Sequence, residues 1–366
     1  PTWNASTSTP CWPSRDRTAH YGYQGNFRTG YPLLNILLEG PYWRGMWTEI
    51  IAAALREGGH RVDTCYHNRK TLRDRVALAA TTWRRGEYRK RAWRQRHRQQ
   101  LLQALRHSRY DMLLSIQGTL DQQTAEQARQ QSPGLRIIYW WGDILTRQAQ
   151  ARIREAAGFA DTLLVSYLGS YQTLKAVYPD KLVYFPFGVS RNFHTAGPLS
   201  AGDIRRFAAD VVFVGTYYPE RCALIRYLNT QLDTPVSVWG RGWRKCRGIS
   251  HHGALSLADS LKAYRCARIS LNLHHIDTPN GFNMKYYEIP AAGGFQICDW
   301  QPLMDSTGLG RQTVACRSLP EFAEQVKYYL AHEQQRREIV AANSQAVFAT
   351  ADYQTRLDDL INQTST

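Results

Sequence analysis

Asn280 to Phe295 reads NGFNMKYYEIPAAGGF, and the fold is decided by how this stretch and its flanks are read. Ahead of it lies Ala267-Arg268-Ile269-Ser270-Leu271-Asn272-Leu273, a run with the length and branching of a buried strand. Met284 to Ile289 has the spacing of a short helix, stopped by Pro290 and the Gly293-Gly294 pair. Phe295 to Cys298 is a second apolar strand. A helix whose N-terminus faces the mouth of a parallel sheet offers free N–H groups and a positive dipole end to an anion. Lys285 adds a point charge there, and Glu288, one turn on, is an acceptor placed for sugar hydroxyls. Cation, carboxylate and close-approach glycines after a strand point to a nucleotide-sugar diphosphate site. The plainer alternative is a solvated i, i+3 pair, contributing roughly 0.2–0.5 kcal/mol, beside an ordinary glycine turn.

With 366 residues and 43% hydrophobic content, the chain has room for two domains with real cores. No apolar run approaches the ~20 residues of a membrane span. Residues 1–31 are polar and aromatic, lack the apolar core of a secretory signal, and are read as an arm. Seven cysteines (11, 65, 222, 246, 266, 298 and 316) show neither CxxC pairing nor metal-ligand spacing. They are expected to be reduced and mostly buried, as in a cytosolic protein. His274-His275 is a poor metal pair, because neighbours on a strand point to opposite faces.

The net charge of +16 is concentrated. Between Arg61 and Arg109, fifteen Lys or Arg face three acids (Asp63, Asp74 and Glu87), so this segment alone supplies +12. Such density points to a polyanionic partner, whether phospholipid surface, nucleic acid or acidic glycan. A long solvated helix with Trp83, Tyr88, Trp93, Leu101, Leu102 and Leu105 on its core side accounts for the segment equally well.

In chain order, Leu33–Leu38 is a continuous apolar run suited to a central parallel strand. Glu39-Gly40 follows, then a helix over Trp47–Glu57 and a strand over Arg61–Tyr66. Further strands are read at 111–116, 136–141, 162–166 and 182–185, with a helix near 120–131. Asp143 lies just past the carboxyl end of RIIYWW, where open α/β sheets do their chemistry, although an N-cap role fits it too. Ser190–Asp203, with Gly197-Pro198, reads as the interdomain connection. The second series runs through strands at 210–216, 236–239, 267–273, 295–298 and 313–315, and Ser318–Glu321 opens a closing helix with a capping box. The expected architecture is α/β, two doubly wound Rossmann-like domains facing a cleft. Its parts are the arm 1–31, a first domain 32–190 containing the basic segment, a linker 191–205, a second domain 206–340 and C-terminal helices 341–366.

The ordered set DMLLSIQG, YWWGD, FPFGV, DVVFVGTYYPER, VWGRGW, ARISLNLH, NMKYYEIPAAGGFQICD, SLPEFAEQVKYYL and YQTRLDDL resembles a GT-B glycosyltransferase, in the spore-maturation CgeB-like branch. The likeness runs over about residues 33 to 363. It implies that the second domain binds a nucleotide-activated sugar, expected to be a UDP-sugar, while the first receives the acceptor. Glu288 resembles the carboxylate that holds the nucleotide ribose. Lys285 stands where the family usually has Arg, keeping the charge without the bidentate fork. Arg221 with Gly215 and Thr216 resembles the diphosphate-facing loop. Gly240, Arg241, Asn272 and Asn283 complete the expected donor contacts. Retaining relatives carry a second Glu eight residues before the ribose-binding one. Here that position is Asn280, so no anomeric outcome carries over. Asp143 and then Glu39 are the candidate bases of the first domain. No metal or cofactor is implied beyond the donor. The expected location is cytoplasmic, with peripheral contact to the inner membrane face through Arg61–Arg109. Two other readings stay open: a nucleic-acid-binding protein on the same scaffold, and a glycosyltransferase that modifies DNA.

Overall fold

The structure, a computed structural model, describes residues 33–42, 47–67, 86–278 and 280–363, with backbone alone at 86–94 and 311. The N-terminal arm and residues 68–85 of the basic segment lie outside the described residues. Two all-parallel sheets form, as the alternation of apolar runs and helices requires. The first contains β1 (Asn35–Gly40), β2 (Arg61–Tyr66), β3 (Met112–Ile116), β4 (Arg136–Trp141), β5 (Thr162–Val165) and β6 (Leu182–Tyr184), in the order β2-β1-β3-β4-β5-β6. The second contains β7 (Ala209–Val214), β8 (Ser237–Trp239), β9 (Ala267–Asn272), β10 (Gln296–Asp299) and β11 (Val314–Cys316), in the order β11-β10-β9-β7-β8. The strand order reverses between β1 and β3 in one sheet and between β7 and β9 in the other. Crevices for ligands open at the carboxyl ends of such reversals.

β1 shows why an unbroken apolar run makes a central strand. Ile36 and Leu38 join the core formed with the Trp47–Glu57 helix and the last helix of the chain, Tyr353–Gln363. Leu37 points the other way, into a core with Leu101 and Leu105 of the Gly86–His107 helix. Alternate side chains feed opposite faces, so both must be apolar. The basic segment is therefore partly a core element: its second half buries Leu101, Leu102, Leu105 and His97.

The chain crosses between the domains twice. Residues 191–207 contain two short helices, Arg191–His194 and Ala201–Phe207, and Ser200 and Asp203 form a capping box on the second. The last helix then returns to the first domain. Val189 and Asp352 form a parallel bridge, with Val189 N–H donating to Ala351 O (2.8 Å) and Tyr353 N–H to Val189 O (2.8 Å). Arg356 fastens the crossing by donating to the Pro186 and Phe187 carbonyls. One apolar cluster consequently includes Ile36 and Trp47 of the first domain, Tyr286 and Tyr287 of the second, and Tyr353 and Leu357 of the returning helix.

One expectation fails. Cys222 and Cys246 form a disulfide, with Cα atoms 6.0 Å apart. They lie 24 residues apart, in the helix after β7 and the loop after β8, a pairing that only sheet topology brings about. Cys65, Cys266, Cys298 and Cys316 are free. The cytosolic expectation rested on reduced thiols, and that support is withdrawn. Among the described residues no helix is long and apolar enough to cross a membrane.

Candidate active site between the two sheets

At the reversal point of the second sheet, the loop after β7 is locked to the loop after β8. Gly215 N–H donates to Trp239 O (2.8 Å), Tyr217 N–H to Arg241 O (2.8 Å), and the Trp243 indole N–H to Gly215 O (2.7 Å). Gly240 must be glycine: its φ is +150°, and a Cβ would fall 1.8 Å from Gly215 O. Thr216 and Arg241 lie exposed on this double loop.

Arg221, in the helix Pro219–Gln231, joins the two sides of the crevice. Its guanidinium donates to Thr216 O (2.9 Å) after β7 and to Leu273 O (3.0 Å) after β9. It is 7% exposed, stands over the Tyr218 ring (4.8 Å), and its Nε has no partner among the described residues.

The helix expected over Met284–Ile289 runs to Ala291, carrying Pro290 within its last turn. Proline leaves the Tyr286 carbonyl without its helical donor; the Gln296 amide, at 3.5 Å, faces it instead. Asn283 caps the start, accepting from Tyr286 N–H (3.1 Å), and exchanges amide hydrogen bonds with Asn272 (2.9 and 3.2 Å). Both Asn amides are thus engaged within the protein, where they hold the helix N-terminus beside the end of β9.

The side chains of Lys285 and Glu288 make no hydrogen bond or ion pair among the described residues, yet they sit in each other's field. Burial, then the like charge of Arg221, brings Lys285 down to about 8, with Glu288 opposing. Burial raises Glu288, against the pull of Lys285. Lys285, in the first turn of this helix, and Arg221 are two cations held partly out of water, at a desolvation cost that a bound anion would offset.

From the first domain, Asp143 is exposed, and its carboxylate accepts the N–H of Ile144 (2.8 Å). Thr146, not Asp143, caps the next helix, so the acid is left for other work. Tyr167 follows β5 and lies within the fields of both Asp143 and Arg221. Arg221 thus acts electrostatically both on Tyr167, beside Asp143, and on Lys285, beside Glu288. Glu39 is elsewhere. It is 0% exposed and accepts from His97 (2.8 Å), Ser115 (2.6 Å) and the Thr119 N–H (2.9 Å). Burial opposes its charge, but these bonds, led by His97, hold it at about 2. A carboxylate so fully occupied fastens the basic helix to the sheet.

Two site features were not anticipated from sequence. Asp299, at the end of β10, accepts from both the N–H and the Nδ1 of His274 (2.8 Å each), which fixes the loop whose Leu273 carbonyl receives Arg221. Tyr167 is the other. Asp299 ends its strand and Tyr167 lies just past one, the rule that singled out Asp143.

A family model described as glycosyl transferase-like matches residues 221–362. No curated protein matches. Among solved structures, HepE of Anabaena, determined with UDP-glucose, superposes with a TM-score of 0.62 at 12% identity, covering 91% of this chain and 99% of that one. A glycosyltransferase from Rickettsia africae gives 0.62 at 11%, covering 91% and 98%. An α-glucosyltransferase determined with UDP-glucose and DNA containing an abasic site gives 0.63 at 9%, covering 92% and 100%. The structural likenesses show the GT-B fold, and the family-model match supports a glycosyltransferase.

Proposed function

We propose that this protein moves a sugar from a nucleotide diphosphate donor, a UDP-sugar, to an acceptor hydroxyl, as a CgeB-like GT-B glycosyltransferase. The observation that carries the reading is the Arg221, Lys285 and Glu288 cluster at the N-terminus of a capped helix, on the reversal point of the second sheet. Glu288 would hold the ribose hydroxyls. Arg221, Lys285 and the helix N-terminus would neutralise the diphosphate. The bond from the anomeric carbon to the diphosphate oxygen breaks, its electron pair leaving on that oxygen, while the acceptor oxygen bonds to the same carbon. Fixed positive groups facing the growing charge do electrostatic catalysis, so the reading needs no metal. Where a base takes the acceptor proton, exposed Asp143 suits the task better than enclosed Glu39. The UDP-glucose complexes of HepE and of the DNA-bound α-glucosyltransferase are properties of those proteins; they make UDP and UDP-glucose the first ligands to try.

The test is calorimetry with UDP on the parent and on Glu288→Ala. The parent should bind, and the variant should lose about 2 kcal/mol, because a hydroxyl-to-charge hydrogen bond goes. Equal binding by both would move the nucleotide out of this site. A polyanionic acceptor held by the basic segment remains part of the proposal, and DNA is one form of it.

A further inference from the structure

Tyr167 is a first-domain side chain built into the boundary with the second domain. Ser166 before it is buried and accepts the Trp140 indole N–H (2.8 Å), which fixes the end of β5. The Tyr167 ring stands edge-on to Phe187, with centroids 5.9 Å apart. On its other side lies Gly281, at φ +155°, where a Cβ would fall 2.9 Å from the ring and 3.2 Å from the Tyr167 backbone. Just beyond, Gly169 N–H donates across the boundary to Asn280 O (3.1 Å). The ring therefore has little freedom.

Its hydroxyl makes no hydrogen bond among the described residues, although Tyr167 is only 7% exposed. Burial first, then the charge of Asp143, raises the phenol far above its ordinary value, while Arg221 is the cation that opposes them. The proton stays on at any working pH, so this oxygen serves as a donor and not as a base. An O–H with no partner among the described residues, on a ring packed against the Gly281 turn that leads into the Asn283-capped helix, is placed to share the anion proposed at that helix N-terminus.

We propose that Tyr167 donates a hydrogen bond to the diphosphate of the sugar donor from the first-domain side of the cleft, an inference that rests on the donor-site reading above. When the anomeric C–O bond breaks, its electron pair goes to the diphosphate oxygen. The new bond comes from the acceptor oxygen, or from water in donor hydrolysis, whose proton leaves to solvent. Tyr167 keeps its own proton throughout. Because the charge on the leaving oxygen grows toward the transition state, the bond strengthens there.

The experiment uses the full chain with UDP in calorimetry and UDP-glucose in a hydrolysis assay. Tyr167→Phe keeps the packing on Phe187 and Gly281, so its melting temperature should match the parent. UDP affinity should fall roughly tenfold, as for a lost hydrogen bond to a charged group, and kcat for hydrolysis should fall further than affinity. Tyr167→His, which retains a ring N–H, should recover part of the affinity. A Tyr167→Phe protein that binds UDP as the parent does, while Glu288→Ala does not, overturns the proposal and leaves the donor site standing. A parent that binds no UDP overturns the donor site, and the proposal with it.

Discussion

At the scale of the residue, Lys285 shows how one substitution alters a site. Arginine keeps its charge at any ordinary pH, whereas an ammonium taken out of water beside Arg221 does not. With Lys285 at about 8, the free protein loses this charge as pH rises through that value. A diphosphate favours the charged form and must draw the proton back, so its affinity drops with rising pH. From pH 7 to 9, UDP affinity should fall roughly tenfold by calorimetry, since one proton is taken up on binding above the free-state value. Lys285→Arg should flatten the curve across that range, and parallel curves for the two proteins would exclude Lys285 as the cause. For folding the sign is reversed. The lowered value means that the unfolded chain binds more protons between 8 and the ordinary 10.5, so this group makes the fold more stable as pH rises through that window.

At the scale of the element, the Met284–Ala291 helix is held at its start by the Asn283 and Asn272 amide pair. Asn283→Ala should cost about 1 kcal/mol in denaturant unfolding, the usual loss for an N-cap. It should also weaken UDP binding, because the N–H groups offered to the anion fray. Stability loss with unchanged UDP affinity would mean that the helix N-terminus does not face the nucleotide. The helix after β7 raises a separate issue. Cys222 lies next to Arg221, and its disulfide to Cys246 staples that helix to the loop after β8. Alkylation of the unfolded, unreduced protein should block five cysteines and leave two, Cys222 and Cys246, protected until reductant is added. Seven alkylated cysteines would show the bond absent from the protein in solution.

At the scale of the whole molecule, part of the charge of the basic segment is used in internal packing. Arg98 donates to Gln123 (2.8 Å) and Gln127 (3.2 Å) on the neighbouring Gln122–Gln131 helix, so it belongs to packing. Buried His97 binds Glu39 on β1. The polyanionic partner proposed above is therefore tested at other positions of the segment, Arg91 and Arg94. Replacing these two with Gln should leave UDP affinity unchanged. Binding of a duplex DNA probe should weaken, and its slope against salt should flatten by about 2, one for each lost phosphate contact. Identical salt curves for variant and parent would make the segment a solvated face.

Sequence by itself determined the two parallel sheets and the short helix after β9 that carries Lys285 and Glu288. These follow from local patterns: apolar runs of strand length, and the rule that chemistry gathers where such strands end. Ile36, Leu37 and Leu38 illustrate it, since three adjacent apolar residues on a strand already imply cover on both faces. Only the tertiary structure decided the rest. It enclosed Glu39 with His97 from 58 residues away, left Asp143 exposed, and bonded Cys222 to Cys246. It also carried the last helix back to the first domain and set Tyr167 against Gly281. Each of these depends on which strands are neighbours and in what register, and that order is set by the packing of the whole chain, which no local pattern of residues records.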